Sequence, residues 1–384
     1  MSAHEETGLL TPNVDALQQT LLDDILPVWI DAGWDTTTGH FHEALSLDGN
    51  PLTSDRLRIR TAARMIHVYA DAARLGCGPD GGLAAAVRAA DAIERDAKRV
   101  GGGYVHEIAR NSGKITDPKL DLYDQSCMIL AFASLHHATG DPVYQAKADD
   151  TLAVIDRGLA SSSGGWREDN AGSLPRRQNP HMHMFEALSA LYAATGATPY
   201  RARLSGLING LTTHFLSPEG LLVEFMGPYW EQDARYGSHR LDPGHMAEWA
   251  WLLRDNGPAD GLAPPDLPNR LLATAIDIGR DPNDQRFLLD EVDASGRHVG
   301  KGRRLWSQVE YIKGCLVTGR LNDAEVTARG ILETYLAGGT RGLWHDAMTA
   351  KGRPVDGPAP ASSCYHLWTM VAGITDRRSL RAAP

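Results

Sequence analysis

One local pattern recurs six times along the chain: an amphipathic helical run, a turn followed by a short extended piece, and a second helical run. Gly39, Gly103, Gly165, Gly220, Phe287 and Gly342 mark the turns, spaced by 64, 62, 55, 67 and 55 residues. Apolar residues three and four apart predict the helices. Leu17, Leu21 and Ile25 place one over 14–29, and Ala62, Met65, Ile66 and Tyr69 place its successor over about 58–73. The same reading gives first-type runs at 83–97, 144–159, 204–215, 268–280 and 323–335. Second-type runs follow at 122–137, after Asn179, and at 245–254, 308–318 and 365–374. A repeated supersecondary unit cannot bury its apolar face alone, so its copies must stack. Six helical hairpins that stack and close make a ring of twelve helices, an all-α (α/α)6 barrel with short hairpin-like loops. An open helical solenoid is the competing arrangement. The lack of capping repeats and the similar placement of polar residues in several units favour closure. The extended pieces are too short for a parallel sheet. The expected organisation is one domain over residues 1–384.

Those polar residues define a candidate site. Arg64, Tyr123, His183, His245, Gln308 and His366 each fall 18 to 25 residues after a turn marker, at or near the start of the unit's second helix. In a closed ring such starts converge on one mouth. The densest stretch runs from Arg177 to Glu186, where an amide, a proline, two histidines and a carboxylate crowd together. Asn179 suits an N-cap and Pro180 the first turn. His183 and Glu186, three apart, share a helical face, as do His245 and Glu248. Trp306 adds an apolar ring surface. Guanidinium, amide, imidazole and indole groups together suit a polyol, which needs hydroxyl partners and a flat apolar face. A set of capped helices carrying solvated histidines is the plainer reading of each motif taken alone.

Charge and composition narrow the partners. A net charge of −10 and a pI of about 5.8 argue against nucleic acid or an anionic membrane as partner. Cys77, Cys127, Cys315 and Cys364 are far apart and show no metal-ligand spacing, so free core thiols of a reducing compartment are expected. The acidic start lacks an apolar signal region, and no run of 18 apolar residues occurs. A soluble cytoplasmic protein, monomeric or homodimeric, is the expectation. No HExxH motif and no GxSxG motif is present. No metal and no other cofactor is therefore expected. A glycoside hydrolase would need two acids across a bond; Glu186, Glu248 and Glu310 exist, but histidines hold the more prominent helix starts.

Four motifs in order resemble the N-acylglucosamine 2-epimerase superfamily. They are Arg177-Gln178-Asn179-Pro180-His181-Met182-His183 with Phe185-Glu186, Pro243-Gly244-His245 with Glu248-Trp249, Arg304-Leu305-Trp306-Ser307-Gln308, and Ser362-Ser363-Cys364-Tyr365-His366. Cys364 stands where an apolar residue is expected. The resemblance spans about residues 15–375 and implies an (α/α)6 barrel that interconverts sugars at C1 and C2 without a metal. Arg64-Met65-Ile66-His67-Val68-Tyr69-Ala70 is similar to the mannose isomerase branch. The implied activity is aldose–ketose isomerisation of a monosaccharide, mannose to fructose or lyxose to xylulose, with 2-epimerisation as the alternative. By resemblance His245 and His366 are the catalytic pair. His366 would move the C2 proton, and His245, oriented by Glu248, would serve the oxygens. Arg64 and His183 would hold the enediolate. Tyr123, Asn179, Trp306 and Gln308 would position the sugar, and Glu186 would complete the binding set. His67 and His137 are expected to be structural.

Overall fold

A computed structural model describes residues 12–382 apart from 53, 256–260, 301 and 338. The expected first helix is one continuous run, α1 (Pro12–Thr20), a π-helical turn (Leu21–Ile25) and α2 (Leu26–Asp31). The remaining helices are α3 (Ile59–Arg74), α4 (Gly82–Asp96), α5 (Leu122–Thr139), α6 (Pro142–Leu159), α7 (Asn179–Thr195) and α8 (Thr198–Gly210). They continue with α9 (Pro243–Asp255), α10 (Leu267–Gly279), α11 (Leu305–Thr318), α12 (Leu321–Thr334) and α13 (Ala361–Ala382).

Burial sorts these helices into two rings. In α5 every residue from Asp124 to Leu135 is buried, and α3 is buried almost all round. A helix apolar on all faces belongs inside. By contrast α4 buries one stripe, Ala85, Ala86, Ala89, Ala90 and Ile93. The inner helices α3, α5, α7, α9, α11 and α13 pack in that order, and α13 returns to α3. The outer helices sit behind them, with α1 against α12. The result is a closed (α/α)6 barrel.

Short strands lock the mouth of this ring. In chain order they are β1 (Trp34–Asp35), β2 (His40–Phe41), β3 (Ala44–Leu45), β4 (Arg56–Arg58), β5 (Glu107–Ala109), β6 (Lys114–Asp117), β7 (Arg176–Arg177), β8 (Phe225–Met226), β9 (Gly302–Arg304), β10 (Ala347–Thr349) and β11 (Ala359–Pro360). Each unit pairs with the next through a strand that precedes an inner helix. Pairs β4–β5, β7–β8 and β9–β10 join units one to two, three to four and five to six. Bridges Asp121–Asp169 and Leu241–Val292 join two to three and four to five. The circuit closes through β11–β3, where Ala359 faces Leu45. At this last join Trp344 packs on Trp29, ring centres 5.6 Å apart. Gly342 (φ +84°) lies so near the Asp24 carbonyl that a Cβ would collide with it.

Side chains near the helix starts satisfy the loop backbone. Gln125 accepts from Tyr104 N–H (2.9 Å) and donates to Tyr104 C=O (3.0 Å). Gln308, three units on, does the same for Leu288 at 2.8 and 2.9 Å. Both amides are fully buried. Gln125→Leu and Gln308→Leu each orphan two buried backbone groups, and each is expected to cost about 2–5 kcal/mol. Urea unfolding of the two variants checks this. A Gln308→Leu protein as stable as the parent would contradict the structural role.

Candidate active site

The inner-helix starts enclose a cavity of about 260 Å³, and every inner helix contributes to its wall. Of the ten residues expected from sequence, eight line it: Arg64, Tyr123, Asn179, His183, His245, Glu248, Trp306 and His366. Two do not. Gln308 is spent on the Leu288 backbone, as described. Glu186 faces a second cavity of about 200 Å³ near the far ends of the inner helices, which His67 and His137 also line. Asn179 is the first residue of α7 rather than its cap, which frees its amide to reach His245.

Three imidazoles share one architecture. In each, Nδ1 donates to a buried carboxylate, which fixes the tautomer and leaves Nε2 for other partners. His366 pairs with Glu310 at 2.7 Å, His245 with Glu224 at 2.9 Å and His183 with Glu186 at 3.0 Å. Glu248 does not orient His245. Its nearest imidazole is His183, 4.0 Å away, and both its oxygens are buried without a hydrogen-bond partner. Glu224 lies 21 residues before His245, beyond any helical spacing, at the end of the fourth unit's extended piece. Acidic residues recur at that place in the other units: Glu43 holds Arg58, Glu168 holds Arg177 and Asp290 holds Arg304. This recurrence was the available signal for Glu224. Glu310 lies five residues after Leu305, the start of α11, and nothing in the sequence tied it to His366, 56 residues on.

The surroundings set the imidazoles to opposite charge. At His245, burial opposes the proton, but Glu224 and Asp242 outweigh it and raise the pKa to about 9. At His366, burial, Arg64 and Lys313 push the pKa well below the ordinary imidazole value. Burial takes His183 down to about 4 despite Glu186. At neutral pH His245 is the imidazolium, and His366 and His183 are neutral. Protonated His245 needs an acceptor at Nε2. The Asn179 amide nitrogen stands 2.7 Å from Nε2 while its oxygen has no partner, and a half-turn of that amide brings the oxygen to the imidazolium as the acceptor it needs. Burial and the neighbouring Glu310 raise Glu248 well above the ordinary carboxylate value, which favours its protonated form.

Two further groups complete the walls. The Trp306 indole sits between the pair, its ring centre 5.0 Å from His245 and 5.3 Å from His366. On the other side Arg64 donates to the Tyr123 hydroxyl (2.7 Å), which donates to His183 Nε2 (2.9 Å). The Arg64 guanidinium lies 4.5 Å from the Tyr365 ring centre, and the Tyr365 hydroxyl donates to Glu186. Chemically, this cavity offers a neutral base, a charged acid and a fixed guanidinium around an apolar plate. Cys127, Cys315 and Cys364 are buried free thiols and Cys77 is half-buried. No helix among the described residues is long and apolar enough to cross a membrane.

Comparison with known proteins agrees with the fold. The sequence profile of the N-acylglucosamine 2-epimerase (GlcNAc 2-epimerase) family matches residues 39–370. A mannose-6-phosphate isomerase of Rhizobium meliloti (strain 1021) is 29% identical over 373 residues, covering 93% of this chain and 95% of that protein. Among solved structures, a D-mannose isomerase superposes with a TM-score of 0.84 at 18% identity, covering 98% of this chain and 100% of the other. The cellobiose 2-epimerase of Spirochaeta thermophila gives a TM-score of 0.84 at 22% identity, covering 96% and 97%. At these identities the structures attest the fold.

Glu224→Gln removes the main charge that raises His245. Followed by NMR of the ring nitrogens, the His245 titration is expected near pH 9 in the parent and about 1–3 units lower in the variant. An unchanged midpoint would mean that Glu224 does not set the His245 charge.

Proposed function

We propose that this chain, which belongs to the N-acylglucosamine 2-epimerase family, interconverts an aldose and its ketose through a cis-enediol. Mannose and fructose are the expected hexose pair, lyxose and xylulose the pentose counterpart. The reading rests on one observation: two imidazoles face a single cavity across an indole, His245 backed by the carboxylates of Glu224 and Asp242, which favour its proton, and His366 set among cations, which disfavour it. Isomerisation needs that division of labour, a base for carbon and an acid for oxygen. The name of the Rhizobium meliloti relative, an aldose–ketose isomerase, supports the same choice.

The steps balance without any added group. His245 donates a proton to the ring oxygen and, as the ring C–O bond breaks, takes up the anomeric hydroxyl proton, so the sugar opens and His245 is charged again. In the open chain, His366 Nε2 removes the proton from C2 while the C1 carbonyl oxygen takes one from His245. The enediol then loses its O2 proton to His245 as His366 returns a proton to C1. Glu310 holds His366 Nδ1 throughout, and the Lys313 ammonium, 2.8 Å from Glu310, keeps that carboxylate in place. Arg64 stabilises the developing enediolate oxygen, because a fixed cation in a dry site needs no reorganisation when charge appears. Glu248, whose oxygens have no partner of their own, is placed to hydrogen-bond a sugar hydroxyl. Trp306 provides the flat surface against which the sugar carbons lie. No step calls for a metal.

His245→Asn and His366→Asn are each expected to lose on the order of 10²–10⁴-fold in kcat, with KM changed far less. The test follows mannose in deuterated water by NMR. Ketose carrying deuterium is the expected product in the parent, and His366→Asn should abolish exchange at C2. An epimeric aldose would assign 2-epimerisation instead, and near-normal turnover of folded His366→Asn would reject the mechanism. Activity should fall as pH rises through about 9, where His245 loses its proton. Exhaustive chelation should leave turnover unchanged; loss restored by a divalent ion would refute metal independence.

A further inference from the structure

Four guanidinium groups reach the cavity, from Arg58, Arg60, Arg64 and Arg304, and they are not equivalent. Arg58 is held by Glu43, with Nε–Oε2 at 2.9 Å. Arg304 lies 3.5 Å from both Asp290 and Asp242. Arg60 and Arg64, one turn apart on α3, form no direct ion pair among the described residues; Asp124 and Glu248 act on them only at longer range. Each instead stands 5.4 Å from the centre of the same Tyr123 ring. Arg64 is buried and its Nε has no hydrogen-bond partner. The inner helices start at the mouth, so Arg60 lies about 6 Å nearer the mouth than Arg64. Across the cavity Ser362 stands in the first turn of α13, a 22-residue helix whose free N–H groups carry partial positive charge.

We propose that the natural substrate carries a phosphate monoester on the carbon remote from the reacting end, received by Arg60 with help from Ser362 and the start of α13. This rests on the reading of the cavity as an aldose–ketose site. With C1 and C2 at the floor beside His366 and His245, a hexose extends towards the mouth, and its terminal carbon arrives at the level of Arg60. A phosphate ester is close to doubly charged above pH 6. A guanidinium not engaged in a direct ion pair is the group that gains most from it, since the planar fork matches two phosphate oxygens. Arg64 remains for the enediolate, so the two unpaired cations serve the two ends of one substrate.

The test compares mannose, its 6-phosphate and its 6-sulfate, in the parent, Arg60→Gln and Arg60→Lys. Calorimetry reads binding, and NMR reads ketose formation. The parent is expected to bind the 6-phosphate on the order of 10–100-fold more tightly than mannose. Arg60→Gln should lower that ratio by a similar factor, and Arg60→Lys should keep part of it. A 6-sulfate bound as well as the 6-phosphate would show that charge alone is read and would overturn the assignment to phosphate. Equal binding of mannose and its 6-phosphate, or a ratio unchanged in Arg60→Gln, would overturn the proposal entirely. Phosphate-dependent binding without ketose from any sugar would uphold the anion site and reject the isomerase reading instead.

Discussion

Closure of the ring is the constraint on which everything else depends. Each inner helix begins directly after a strand or bridge that ties its unit to the next, and β11–β3 joins the sixth unit to the first. Without that last join the units would form an open solenoid, and the starts of α3 and α13 would lie at opposite ends of it. With it, Arg64 from the first unit meets Tyr365 from the sixth at 4.5 Å. Loop-closure entropy grows only slowly with length, so linking residues more than 300 apart costs little more than linking neighbouring units. The contacts that reward it are large aromatic ones, Trp29 on Trp344 and the Trp368 indole donating to Asp71 at 3.0 Å.

Inside this frame the chemistry is set by carboxylates placed behind imidazoles. A buried histidine left alone is neutral, because burial disfavours charge. His181 is the control: burial together with Arg176 takes it down to about 3, and no acid stands behind it. His245 departs because Glu224 and Asp242 lie at 2.9 and 3.8 Å. His366 also has an acid behind it, Glu310, but Lys313 neutralises that charge at 2.8 Å and Arg64 adds to the effect. The same imidazole–carboxylate motif thus yields a charged acid in one helix and a neutral base in another. The difference lies in the cations beside buried His366, first Arg64 and then Lys313 one turn beyond Glu310 on α11.

Much of this was legible in the chain itself. Helical period, turn markers and their spacing predicted twelve helices in six units, and the helices stand where expected to within a few residues, though α13 starts earlier than 365 and runs further. Eight of the ten expected site residues line one cavity, because position at a helix start is a local property and the ring converts it into convergence. Gln308 misled because it sits at that same position. A helix start offers two environments, towards the axis and towards the preceding loop, and Gln308 takes the second. Glu186 shares a helical face with His183, but the hydrogen bond it accepts leaves it below the imidazole, facing the lower cavity.

What the sequence determined by itself was therefore the periodic part: the number of units, the class of fold, and which residue types crowd the helix starts. What only the tertiary structure decided was who stands behind whom. Glu224 reaches His245 from 21 residues away, Glu310 reaches His366 from 56, and Tyr365 reaches Glu186 from 179. Protonation follows from those long-range pairs, since Coulomb interactions depend on distance in space and on local burial. A periodic pattern records which face a residue occupies. It does not record the partner on the helix opposite, and at this site that partner assigns which histidine is the acid and which the base.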